Sequence, residues 1–325
     1  MLRNAFLPVF VAFLAFPPLA AGGGFVQELT TIDVREGRRV VWTQNGFIGS
    51  GKFRVDASIP SENGRSVRDQ LAQFQRNTVT RIYHEDKTFL REELSSGFLS
   101  PAVLFSGPAV ARGNTLTGRE ANLSLAGREN TGPRTCDIYS VDMEFQFRAF
   151  RTGRETNGKI TGKAWICPPI ETVQHSELSK TMTRYKKAAG TALSPIDDAA
   201  FAVADVSGLW QINIADVKRI AGDIAGVLSA LKGEVTATQF VWHLPSPPAQ
   251  GLRSMSIASG RSGFGQGKTK VIGEDAPAPD DVDAPIEAPR PSIEIQSKLR
   301  YLPAGVKIDD AVFRIPKGYR DRADE

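Results

Sequence analysis

The chain is short of the residues that carry most protein chemistry. Its three histidines, His84, His175 and His243, are isolated, and no two have metal-ligand spacing. Cysteine is limited to Cys136 and Cys167, which excludes zinc-ribbon spacing and a disulfide-dense scaffold. No G-x-S-x-G nucleophile motif occurs. An excess of one charge is missing too: 40 Lys and Arg stand against 36 Asp and Glu, and the net +4 is spread along the chain. That is too little to argue for nucleic acid; it licenses at most a mild attraction to anionic envelope surfaces. After the first two dozen residues no apolar run is long enough to span a bilayer. The expectation is a non-enzymatic protein with no catalytic, cofactor-binding or metal-binding residues, no cofactor, no nucleic-acid partner and no transmembrane segment. The carboxylate pairs Glu92-Glu93, Asp197-Asp198 and Asp309-Asp310 read as solvated surface.

What is present begins with an address. Arg3 is the only charge before Glu28, and an apolar stretch runs from Ala5 to Phe16 before Pro17-Pro18-Leu19-Ala20-Ala21-Gly22. A basic start, an apolar segment and small residues after a proline pair match a cleavable signal peptide over residues 1–24. A spanning helix needs about 20 apolar residues, and Pro8, Pro17 and Pro18 interrupt this one. Cleavage is expected near Ala20 to Gly22, giving a soluble periplasmic protein, with secretion as the alternative.

In an oxidising compartment Cys136 and Cys167 read as one disulfide; the alternative is a pair of buried thiols. The turn-forming residues between them, Thr152 to Gly158, centre near Glu155, whereas a regular hairpin joining the two cysteines turns at Arg151-Thr152. The pairing therefore calls for a bulge or an offset loop.

Strand-like sequence covers Phe25–Asp33, Arg38–Gln44, 47–59, Thr78–Tyr83 and Thr88–Leu94, with His84-Glu85-Asp86-Lys87 as a solvated hairpin turn. Ser66–Arg76, with Val67, Leu71 and Phe74, has the spacing of one short amphipathic helix. Val141–Phe150 alternates strictly between apolar and polar, and with Lys159–Cys167 predicts a sheet with one face on a core. Helical spacing follows at Ser176–Ala189, Pro195–Val203 and Ala215–Leu231, with Gly233 placed as a C-cap. Strands resume at Val235–His243, Arg253–Ser259, Lys268–Ile272 and Ser292–Tyr301. Residues 274–292 are acidic, hold five prolines, and predict a disordered loop.

The order Arg81-Ile82-Tyr83-His84-Glu85-Asp86-Lys87, then Cys136-Asp137-Ile138-Tyr139, then Gly158 to Trp165, and finally Phe313-Arg314-Ile315-Pro316-Lys317-Gly318-Tyr319 resembles a family of exported bacterial proteins of unknown function. That family is related in fold to the lipoprotein carriers LolA and LolB. The resemblance covers most of residues 25–320, one α+β domain, with insertions at 96–134 and 274–292. It implies a curved antiparallel β-sheet, a half-open barrel, with helices packed on the concave side.

Two Gly-Lys loops fall short of a phosphate loop. In Ser262 to Thr269 the first glycine is Ser262, and Gly46 to Lys52 ends in Phe53; both run into strand-like sequence rather than a helix. The aromatic set Trp42, Phe145, Phe147, Trp165, Trp210, Phe240 and Trp242 falls on segments expected to face one another. It reads either as packed core or as the lining of an apolar cavity. By fold analogy the leading expectation is a cavity on the concave face holding a lipid, a lipoprotein acyl chain or another apolar ligand. A non-catalytic structural or interaction module for an envelope protein is the alternative, and a hydrolase the third reading.

Overall fold

The computed structural model describes residues 23–35, 37, 39–61, 64–98, 113–118, 120–131, 134–150, 152–169, 173–245, 289–302 and 306–324. Both the export signal up to Gly22 and the Ser262–Thr269 loop lie outside these residues, as do the strands expected at Arg253–Ser259 and Lys268–Ile272, and 274–288 of the acidic segment.

Two antiparallel meanders share one sheet. The first comprises β1 (Gly23–Asp33), β2 (Arg39–Gly49), β3 (Lys52–Ser61), β4 (Gly64–Gln73), β5 (Thr78–Tyr83) and β6 (Thr88–Glu93). The second has β7 (Thr115–Gly118), β8 (Asn122–Thr131), β9 (Arg134–Arg148), β10 (Glu155–Cys167), β11 (Glu234–Leu244) and β12 (Arg290–Tyr301). β1 and β12 pair antiparallel from Phe25–Tyr301 to Asp33–Ile293, joining the halves. A two-residue β13 (Arg320–Asp321) adds parallel to β6, and the 13 strands among the described residues form one open sheet. β7 and β8 both pair with β9, β7 near its end and β8 near its start.

The helices interrupt the second meander: α1 (Val173–Ala189), α2 (Pro195–Ala200), α3 (Val203–Trp210) and α4 (Ile214–Ser229). α4 forms because Val217, Ile220, Ala221, Ile224 and Leu228 make one buried stripe. Asn213 caps it by accepting from the Ala215 amide at 2.9 Å. α2 starts with a capping box between Ser194 and Asp197 and has Pro195 in its first turn. The chain turns left-handed at Ala202 between α2 and α3, so the helix predicted at Pro195–Val203 ends at Ala200, and α3 is additional.

Two cores lie on the helix-covered face. α1 places Leu178, Met182 and Tyr185 on Phe25, Ile48, Phe53, Val55, Ala72 and Val79 of the first meander. α3 and α4 cover Val141, Met143, Phe145, Phe147, Ile160, Phe240 and Trp242 of the second. A smaller cluster of Leu29, Trp42, Ile59 and Ala199 sits between them.

Several expectations are corrected. Ser66–Arg76 is not a helix: Gly64–Gln73 is β4, and only Phe74–Arg76 is helical, as a short 3-10 turn. The helical spacing of Val67, Leu71 and Phe74 misled because β4 is covered on both faces, which buries Asp69 and Gln70 as well as Leu71 and Ala72. Gly233 is no helix cap; α4 closes at Ala230, and Gly233 leads into β11. β12 starts at Arg290, so the last residues assigned to the acidic loop are strand. No bulge interrupts β9 against β10: pairing runs evenly from Glu155–Arg148 to Ile166–Asp137. The register is thus that of a regular hairpin joining the two cysteines, and the Cys136–Cys167 disulfide forms one step beyond the last pair.

Candidate functional site

The boundary between the two cores is polar. Gln27 of β1 and Gln44 of β2 are both fully buried there, with Ser297 of β12 beside them. The Gln27 side-chain amide donates to Ser297 Oγ at 2.8 Å and to the Ile196 carbonyl at 3.1 Å. Gln44 donates to the side-chain oxygen of Gln27, and to the Pro195 carbonyl at 3.4 Å. Buried amides are retained only when bonded; here they pin the first turn of α2 to the sheet.

Beside this seam lies a cavity of about 100 Å³ between the sheet, α2 and α4. Ile196, Phe201, Leu228, Val235 and Leu299 supply apolar walls, while Gln27, Thr236, Thr238 and Ser297 line the sheet side. At its rim the Lys186 ammonium pairs with Asp197 at 3.2 Å, tying the end of α1 to α2. Next to Asp197, Asp198 is buried, and its Oδ1 has no hydrogen-bond partner among the described residues. Burial pushes its carboxyl up to about 6; Lys218 pulls it down and Asp197 pushes it up. A sequence pair read as solvated surface is thus one capping residue and one buried acid. The other pairs are partnered as well: Glu92 pairs with Arg81, and Asp309 caps a short 3-10 turn by accepting from the Ala311 amide.

The seven aromatic residues divide. Phe145, Phe147, Trp210, Phe240 and Trp242 are buried together in the larger core, and Trp42 is in the small central cluster. Phe145 and Trp242 lie 6.0 Å apart, ring to ring, and Phe240 stacks on Phe201 at 4.6 Å. Trp165 is half-buried on the opposite face of the sheet, donating to Glu129 at 2.7 Å. None of the seven lines the cavity; Phe201 does. Phe201 gave no sequence signal of its own, because a lone Phe at the end of a short helix is ordinary core.

His84 is also corrected. It sits in the β5–β6 turn, but Nε2 is 2.5 Å from buried Asp69 and Nδ1 is 2.8 Å from the Tyr319 hydroxyl. His243, by contrast, bonds Thr161 Oγ1 at 2.9 Å. Gly46 to Lys52 is the β2–β3 hairpin, turning at Ser50-Gly51 with Gly51 at φ +67°. It leads into a strand, without the helix N-terminus a phosphate loop requires. Among the described residues no group of three or more His, Cys, Asp and Glu side chains can hold a metal ion. Among the described residues no helix is long and apolar enough to cross a membrane.

No family model and no curated protein matches the chain. Among solved structures it is similar to a DUF1329 family protein from Desulfovibrio piger, at 8% identity over 91% of each chain and a TM-score of 0.21.

Proposed function

We propose that this chain is a non-enzymatic protein of the cell envelope that holds the apolar end of an amphipathic ligand in the cavity beside the seam. The carrying observation is the cavity itself: apolar walls from α2, α4 and β12, a hydrogen-bonding floor, and a charged rim at Lys186–Asp197. The ligand class is a lipid or lipoprotein acyl chain, and the frame a half-open barrel of the LolA/LolB kind. Both rest on the sequence resemblance, and the periplasmic address rests on residues 1–24.

Size sharpens the reading. Ligand pockets commonly measure about 300–1,000 Å³, against about 100 Å³ here. The site takes the last few carbons of a chain; a longer stretch requires α2 to lift from the sheet, breaking the Gln27 and Gln44 bonds. Ala225 lines the cavity from α4. Ala225→Phe is expected to fill it and abolish binding of dodecanoate measured by calorimetry, while leaving the circular dichroism spectrum unchanged. A lipid should also co-purify with the wild-type protein in native mass spectrometry. Unchanged dodecanoate affinity in Ala225→Phe would sink the reading.

A second reading has its own observation. β8 is exposed along most of its length, Leu125 is 57% exposed, and among the described residues β8 pairs only with β9. A free edge can accept a strand from a partner, which fits an interaction module. Ser124→Pro should then abolish a crosslinked envelope complex that Ala225→Phe leaves intact.

A further inference from the structure

The C-terminal segment lies on the face of β3–β6 opposite α1. Paired positions fix that face: Asp56, Asp69, Ile82 and Phe89 stand in one row across β3, β4, β5 and β6, and Arg54 and Leu71 in the next. Leu71, Ile82 and Phe89 are buried although no α-helix among the described residues lies on this face. Phe313 is buried there too, against Gly49, where an added Cβ would come within 2.7 Å of its ring.

Most of the segment's attachments are polar. The Arg54 guanidinium donates to the Val312 carbonyl and to Asp69, and to Asp56 at 2.6 Å. The Tyr319 hydroxyl meets His84. Farther along, the Arg320 amide donates to the Lys87 carbonyl at 3.0 Å, and Arg322 pairs with Asp86 at 2.6 Å. Phe313 is the one fully buried side chain among residues 306–323. The hold therefore depends on charge and hydrogen bonding far more than on apolar area.

We propose that residues 309–324 form a strap whose grip on the sheet is set by the protonation of His84 where it faces Asp69, tighter in mild acid and looser in mild base. Asp69 is fully buried, and its Oδ2 accepts from both Arg54 and His84. The groups facing His84 are Asp69 of β4, Arg54 and Asp56 of β3, and Tyr319 of the strap; beside it, Glu85 accepts from Ser66 and pairs with Arg68 at 3.5 Å. With both imidazole nitrogens protonated, Nε2–H donates to Asp69 and Nδ1–H donates to Tyr319, and both bonds are charge-assisted. With a neutral ring held by Asp69, Nδ1 only accepts from the hydroxyl, a weaker neutral bond. Asp56 and Asp69 are directly opposed across β3 and β4 and share the Arg54 guanidinium. The hydrogen bond that His84 donates to Asp69 raises the His84 pKa above its ordinary value, against the opposing effect of burial.

The test is amide hydrogen exchange of the full chain at pH 5.5, 7 and 8.5, corrected for intrinsic rates. The reporters are the Arg314 and Arg320 amides, which donate to Ala311 and Lys87. Their protection relative to α4 should fall at least threefold between pH 5.5 and 8.5. His84→Gln should remove that dependence. Tyr319→Phe keeps the ring but loses the bond, so it should lower protection at pH 5.5 and flatten the profile, and it stands as the test if His84→Gln does not fold. Constant protection in the wild type, or an unchanged profile in either folded variant, overturns the proposal.

Discussion

The ring of Phe25 fills the space that a side chain on Gly46 would need. The two are directly paired across β1 and β2, and a Cβ on Gly46 would lie 2.0 Å from the Phe25 ring. The arrangement recurs in the second meander. Gly158 is paired with Phe145, whose ring lies 2.3 Å from the position of a Gly158 Cβ. Gly162 is paired with Phe240 at 2.8 Å on the same measure. A Phe lying over a paired glycine brings two backbones and a ring into close contact in both halves of the sheet.

Gly46→Val is therefore expected to destabilise the fold by about 1–3 kcal/mol through overpacking, since Phe25 is fully buried and has no room to retreat. Phe25→Ala alone should cost about 3–5 kcal/mol. The double variant should recover part of the sum, because the new valine occupies what the ring vacates. Urea denaturation of the four proteins measures the coupling; strict additivity would show that the contact carries no energy.

The disulfide gives a second expectation. Cys136 and Cys167 extend the regular β9–β10 pairing by one step and are both buried. Thiol labelling of the denatured, unreduced protein should find no free cysteine. Replacing both by serine should cost about 2–4 kcal/mol, read as a lower urea midpoint, and added reductant should then have no further effect on the variant.

That hairpin also shows where sequence patterning ends. The alternation from Val141 to Ala149 and the stripe of Ala215–Leu231 were legible because each buries one face against one neighbour; Phe150, past the strand end, is exposed. The cysteine pairing was legible as well, but its register was not. Asn157 and Gly158 look like turn residues, whereas in β10 Gly158 is the seat of Phe145, a requirement set by a residue on another strand. β4 misled for the same kind of reason: its helical spacing is accidental, and the strap that buries its outer face comes from residues more than 200 positions later. The seam of Gln27, Gln44 and Ser297 carried no local signal, because glutamines in a strand read as solvated face until a second layer covers them.

Stability should rise as the solution is made mildly acidic. Burial holds the Asp198 and Asp56 carboxyls at about 6, against an ordinary 3.8, with Asp69 adding to the rise at Asp56. Between those values the folded chain keeps protons that the unfolded chain releases, so stability falls as pH rises from about 4 to about 6, then stays low. His84 acts in the same sense: its contribution is complete below 6.5 and is lost as pH rises through its raised pKa. Glu85, held below 4.5 despite the opposing effect of burial, gives stability above 4.5 that is lost in stronger acid. The urea midpoint should therefore be higher at pH 5 than at pH 8. A rise from 3.8 to about 6 is worth roughly 3 kcal/mol, so Asp198→Asn should gain up to that amount at pH 8 and little at pH 4. A midpoint that climbs from pH 5 to pH 8 would contradict both assignments.

Phe201 separates packed core from ligand cavity, because it belongs to both. It lines the cavity on one side and stacks on Phe240 on the other, at 4.6 Å and 9° between ring planes. Phe240 is fully buried and does not line the cavity. Truncating either ring to alanine should cost about 3–5 kcal/mol, so stability alone does not distinguish them. Their effects on binding should differ. Phe201→Ala opens the cavity into the space beneath it and should strengthen dodecanoate binding or admit a longer chain. Phe240→Ala leaves the Phe201 wall standing and should leave affinity unchanged while stability falls. Calorimetric titration of both folded variants with acyl chains of increasing length tests this, and equal affinities across wild type and Phe201→Ala at every length would mean that the cavity is not where the chain enters.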